Sequence, residues 1–194
     1  MTRDVIEHTI MFDDSINEES VQALMTEMSQ YPFVNLYFST EGGIVSVARS
    51  LVDYLNRRSQ IGNVSVRVFL NHVCCSAGTL LLTNYVGQLY LTFDFNFFMF
   101  HSFDRLTYNI RKDEERDKLL KFLYENNEYY YSKLKELGLT ETEIQSIRDG
   151  GDVYVFRDDL KRLNRKFAVD ESVETVIYFE EFVPPAKVVK KKVK

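Results

Sequence analysis

The stretch Val34-Asn35-Leu36-Tyr37-Phe38-Ser39-Thr40-Glu41-Gly42-Gly43-Ile44 decides the fold of this chain. Its first half has strand composition and stops at paired glycines, which permit backbone angles closed to other residues, so a turn at a strand end is expected. Directly behind it, Ile44, Val47, Ala48, Leu51, Val52 and Leu55 recur at helical spacing. Then Val64-Ser65-Val66-Arg67-Val68-Phe69-Leu70 alternates and branches like a strand that ends at Leu70. The unit is strand, glycine turn, helix, strand, the building block of an α/β domain with parallel pairing and right-handed crossovers.

The reading extends in both directions. Upstream, Val21, Leu24, Met25 and Met28 fall on one face of a helix over residues 17–30. Downstream the pattern repeats: a short helix opens near Ser76, followed by strand-like Gln88-Leu89-Tyr90-Leu91 and Phe97-Phe98-Met99-Phe100. Leu119, Leu123, Tyr130, Leu134 and Leu137 keep a 3/4 spacing through a charged stretch that starts near Arg111. One long helix is expected there, projecting from the domain and closed by Gly138. Thr140-Glu141-Thr142-Glu143 is a capping box for a further short helix, and Val153-Tyr154-Val155-Phe156 is strand-like. Pro184-Pro185 marks the end of ordered structure, so residues 1–183 are expected to form one domain and 184–194 a flexible basic tail.

Composition narrows the function classes. The 194 residues suffice for one domain with a real core, and 45% hydrophobic against 27% charged residues is ordinary for a soluble globular protein, not a disordered one. A net charge of -5 argues against broad electrostatic binding of nucleic acid, which needs a basic surface to displace counterions from phosphates. The N-terminus carries no apolar signal-peptide core and no apolar run is long enough to span a bilayer, so no membrane partner and a cytoplasmic location are expected. The only cysteines, Cys74 and Cys75, are adjacent, a spacing unsuited to a normal disulfide or to a structural zinc site; a reducing compartment and no metal or other cofactor follow.

Ser76 lies where a helix opens after a strand, among backbone N–H groups that lack helical acceptors. Attack by its hydroxyl on a carbonyl would create an oxyanion, and the N–H groups of Ala77 and of the Gly42-Gly43 turn are placed to stabilise one. Taken alone, a serine before a helix is usually just an N-cap. A serine nucleophile also needs a base, itself held by a third group. Of the three histidines, His8, His72 and His101, the last ends the aromatic strand over 97–100, and strand ends of an α/β sheet are where ligand crevices form. Asp152, after Gly150-Gly151, suits either an orienting acid or a turn aspartate.

An ordered set of motifs resembles the ClpP proteolytic subunits of the ClpP/crotonase superfamily. Residues 9–17 resemble the family's first strand and turn, and Leu36-Tyr37-Phe38-Ser39-Thr40-Glu41-Gly42-Gly43 resembles its strand ending in Ser-Pro-Gly-Gly. Val73-Cys74-Cys75-Ser76-Ala77-Gly78 resembles the segment around its nucleophile, Phe98-Met99-Phe100-His101 its Val-Met-Ile-His, and Gly151-Asp152-Val153-Tyr154-Val155 the segment that carries its acid. The resemblance covers residues 9–170. It implies the family's repeated β-β-α units and a serine endopeptidase with Ser76 as nucleophile, His101 as base, Asp152 as acid, and Gly43 and Ala77 as oxyanion-hole donors. It also implies peptide or unfolded-protein substrates, a homo-oligomer, an ATP-dependent unfoldase as partner, and no cofactor. Two departures stand out: Glu41 replaces the family's proline, and no glycine occurs between Gly87 and Gly138, where the family has a glycine-rich strand. A catalytically silent ring or scaffold component is the alternative reading, and an acyl-CoA enzyme on the related crotonase fold a third.

Overall fold

The computed structural model describes residues 7–62, 64–103 and 113–169. The chain runs β1 (His8–Asp13), α1 (Glu18–Ser29), β2 (Phe33–Thr40), α2 (Val45–Ser59) and β3 (Ser65–Cys75). A 3₁₀ turn (Ser76–Thr79), α3 (Leu80–Asn84), β4 (Leu89–Leu91) and β5 (Phe97–Phe100) follow. The rest comprises α4 (Asp113–Leu137), α5 (Glu141–Arg148), β6 (Val153–Phe156), a second 3₁₀ turn (Arg157–Arg162) and β7 (Phe167–Val169). It is a mixed α/β structure on a mostly parallel sheet. The tail over 184–194 and any helix before Asp113 lie outside the described residues.

Strands β1, β2, β3, β4 and β7 lie side by side in that order, all parallel, while β5 pairs with β3 and, antiparallel, with β6. The apolar stripe of α2 does what its spacing predicts: Ala48, Leu51, Val52 and Leu55 are all buried. Each of the larger ones contributes on the order of 1.5–3 kcal/mol by leaving water. Asn17 caps α1, accepting from the Ser20 N–H, and Thr140 and Glu143 form the expected capping box of α5. At the end of α4 the Gly138 and Leu139 N–H groups both donate to Leu134 O, closing the helix. The second half of α4 packs on the domain through Tyr130, Tyr131, Leu134 and Leu137, whereas Leu120, Phe122 and Tyr124 stand exposed.

One strand differs from the sequence expectation in a way that builds the site. β3 does not end at Leu70 but continues to Cys75. Its pairing to β2 runs regularly to Phe38 opposite Leu70 and resumes at Thr40 opposite Cys74, so β3 bulges over residues 71–73. His72 sits in the bulge with φ +49°. The bulge is pinned by the Asn96 N–H, which donates to His72 O at 2.6 Å, and by Thr92, whose hydroxyl bonds Asn71 Oδ1 at 2.9 Å. Before the bulge β3 pairs with β4; from its last residue on, Val73, Cys74 and Cys75 pair with β5.

Candidate active site

Ser76 follows the last residue of β3 without a linker. The N-cap position of the 3₁₀ turn belongs to Cys75, so Ser76 is the first residue of the turn and not its cap. Its φ is +52°, a left-handed conformation that costs a non-glycine residue about 1–3 kcal/mol and persists only where the surroundings enforce it. Those surroundings are visible. The Thr79 hydroxyl donates to Ser76 O at 2.6 Å and lies 2.7 Å from the buried Tyr130 hydroxyl of α4. Burial pushes the Tyr130 phenol well above its ordinary range, so it remains a neutral donor.

His101 arrives by the neighbouring strand. Cys75 pairs with Met99, which brings the residue after Phe100 level with the turn, and His101 Nε2 lies 2.6 Å from Ser76 Oγ. That is hydrogen-bond distance for a hydroxyl donating to an imidazole base. Both residues are half-buried. The segment after His101 is tied down as well. The Ser102 hydroxyl bonds Ile147 O and the Tyr131 hydroxyl, both at 2.7 Å, and the Phe103 N–H donates to Asn127 Oδ1 at 2.8 Å. α4 thus holds both the serine turn and the histidine segment. Sequence reasoning placed Tyr130 on the apolar stripe of α4 but missed the supporting role of these residues; the available sign was the polar groups of Asn127, Tyr130 and Tyr131 on and beside that stripe.

Asp152 directly precedes β6, whose first residue, Val153, pairs with Phe100. Asp152 therefore stands one step beyond the ladder, opposite His101. Its side chain is exposed, and among the described residues no hydrogen bond joins it to the histidine. His72, the nearer histidine in sequence, is exposed in the bulge and makes no hydrogen bond to Ser76 among the described residues.

The glycine turn comes up against the serine. A Cβ placed on Gly42 would lie 2.4 Å from that of Ser76, and one on Gly43 would lie 2.2 Å from Ile16 O. Only glycine fits at either place, and both have positive φ. Ile16 locks the turn: its N–H donates to Gly42 O at 2.7 Å, and the Ile44 N–H donates to Ile16 O at 2.8 Å. The Gly43 N–H itself makes no hydrogen bond among the described residues. The Ala77 N–H belongs to the first turn of its helix, where donors lack intrahelical acceptors. The Gly42-Gly43 turn and the first turn of the helix thus meet at Ser76, through Gly42 on one side and Ala77 in sequence on the other.

Cys75 is the residue before the serine and is buried. Burial, with the nearby Glu41 carboxylate, pushes its thiol up to about 11, so it stays protonated near neutrality. Among the described residues no group of three or more His, Cys, Asp and Glu side chains converges as a metal site, and no helix is long and apolar enough to cross a membrane. Compared with known families and curated proteins, the chain matches no family model and no curated sequence.

Proposed function

We propose that the chain is a ClpP-like serine endopeptidase. The observation that carries this reading is the 2.6 Å contact between Ser76 Oγ and His101 Nε2, made by a serine held at positive φ on a strand end beside a glycine turn. In the proposed reaction Ser76 Oγ attacks the peptide carbonyl carbon while its proton passes to His101 Nε2. The carbonyl oxygen becomes an oxyanion facing the Gly43 and Ala77 N–H groups. The C–N bond breaks as His101 returns that proton to the leaving amine. Water then adds to the acyl-enzyme with His101 again as base, releasing the acid and restoring the serine. Asp152 is the orienting acid; a side-chain rotation from its exposed position beside the β5–β6 ladder is what the role requires of it.

The finer fold reading belongs to the same proposal: the strand–turn–helix units around β2 and β3 are those of the ClpP/crotonase family, with α4 as its long helix. So does assembly. Leu120, Phe122, Tyr124 and Tyr129 place four large exposed side chains on α4, more than a free helix surface ordinarily carries, and self-association would cover them. Light scattering at micromolar concentration should give an oligomer, and Phe122→Glu should shift it toward monomer; a monomeric parent protein would refute this part. The free cysteines Cys74 and Cys75 support a reducing, cytoplasmic setting.

The activity itself is tested with uncharged fluorogenic peptides. The parent protein should cleave them, and Ser76→Ala should abolish cleavage while the thermal midpoint stays close to that of the parent. Cleavage retained by Ser76→Ala would remove the serine from the reaction.

A further inference from the structure

Strands β1, β2 and β3 are parallel and end side by side, and a cavity of about 480 Å³ lies along the last residues of β1 and β2 and the bulge of β3. Asp13, Asp14 and Glu41 line it, together with Ser39 and the bulge residue His72. Three acidic residues and one histidine line it, so the cavity is negative even with the imidazole protonated. Asp14 accepts from the Ser15 N–H, but the carboxylates of Asp13 and Glu41 have no hydrogen-bond or ion-pair partner among the described residues.

Ser39 supplies an independent observation. It is only 2% exposed, it lines the cavity, and its hydroxyl has no hydrogen-bond partner among the described residues. The rest of the residue is enclosed while the oxygen is not sealed from the cavity, so a bound group there can supply the missing bond. The position of the cavity fixes whose group that is. Glu41 directly precedes Gly42, which packs against Ser76, and the Glu41 charge reaches Cys75, the residue before the nucleophile. The carboxylates do not converge on a point that would suit a metal ion. They are spread around a cavity large enough for an extended cation. A guanidinium, with its fork of N–H donors, and an ammonium, with three, both fit acceptors so arranged.

Resting on the peptidase reading, we propose that this cavity binds a Lys or Arg side chain of the peptide substrate, close to the scissile bond. Glu41 and Asp13 meet the charge and Ser39 completes the hydrogen bonding. The substrate class is then a basic peptide, selected by the residue that replaces proline in the glycine turn.

Binding, not turnover, tests this. Two fluorescein-labelled peptides identical except for arginine or citrulline are titrated into the full chain carrying Ser76→Ala. The arginine peptide should bind about tenfold tighter or more at low salt, where charge attraction is least screened, and the advantage should shrink at high salt. Glu41→Gln and Asp13→Asn, each checked for an unchanged circular dichroism spectrum, should each reduce the preference. Equal binding of the two peptides, no binding of either, or a preference that survives both substitutions overturns the proposal. Failure here is separable from failure of the peptidase reading. Cleavage of uncharged peptides with no arginine preference discards the cavity and keeps the peptidase; arginine-selective binding without cleavage does the reverse.

Discussion

Gly42 lies directly against Ser76, so closely that a single methyl group on the glycine would overlap the serine side chain. The glycine turn and the serine turn are therefore one structural unit, although 34 positions separate them in the sequence (76 minus 42). Gly42→Ala should displace the hydroxyl from His101 and strain the turn, since Gly42 has φ +116°. A displacement of about 1 Å can cost a hundredfold in rate, so kcat/KM for an uncharged peptide should fall by about that factor or more. The thermal midpoint should drop with it. Turnover equal to that of the parent would show that the approach of the two turns does not matter for the chemistry.

His101, directly after β5, and His72, inside the β3 bulge, make opposite predictions. His101 is hydrogen-bonded to the serine hydroxyl, and among the described residues His72 is not. His101→Ala should lower peptide turnover by about three orders of magnitude or more, and adding Ser76→Ala should cost little further, because the pair acts as a unit. His72→Ala should cost less than about tenfold on an uncharged peptide, since only indirect effects through the bulge remain. Asp152→Asn should fall between, because it alters how the imidazole is held without removing it. A turnover assay across the four variants checks the order; a severe loss in His72→Ala with His101→Ala nearly neutral would reverse the assignment.

Thiol reagents offer a pH-dependent check. The Cys75 pKa is raised to about 11, so its thiolate is scarce at pH 7 and increases tenfold for each pH unit below that value. Iodoacetamide at neutral pH should leave peptide cleavage intact, and modification of Cys75 should accelerate toward pH 10. Fast inactivation at pH 7 would instead indicate a thiolate nucleophile.

Much of this arrangement was legible in the residues themselves. The 3/4 spacing gave α2, the capping box gave α5, and the strand composition gave β2 and β6, because each depends on local chemistry. The ordered motifs led to Ser76 and His101, which the fold brings within hydrogen-bond distance. What stayed hidden depends on long-range pairing. Nothing in Asn71-His72-Val73 announces a bulge, since it is set by the registers of β2, β4 and β5 acting on the same strand. The support of Ser76 by Thr79 and Tyr130 joins groups 51 residues apart, and the β7 pairing with β4 is more remote still in sequence. Asp152 reaches the neighbourhood of His101 by strand pairing; its hydrogen bond to the imidazole belongs to the proposal.

The most direct test of the account is covalent labelling by an uncharged peptidyl phosphonate, read by intact mass and peptide mapping. The nucleophile is predicted to be a serine activated by a neighbouring imidazole, so one adduct per chain should form, on Ser76. Ser76→Ala should show none, and His101→Ala should label more slowly by orders of magnitude. An adduct on another residue, or equal labelling of the parent and His101→Ala, would contradict the assignment of Ser76 and His101 as nucleophile and base.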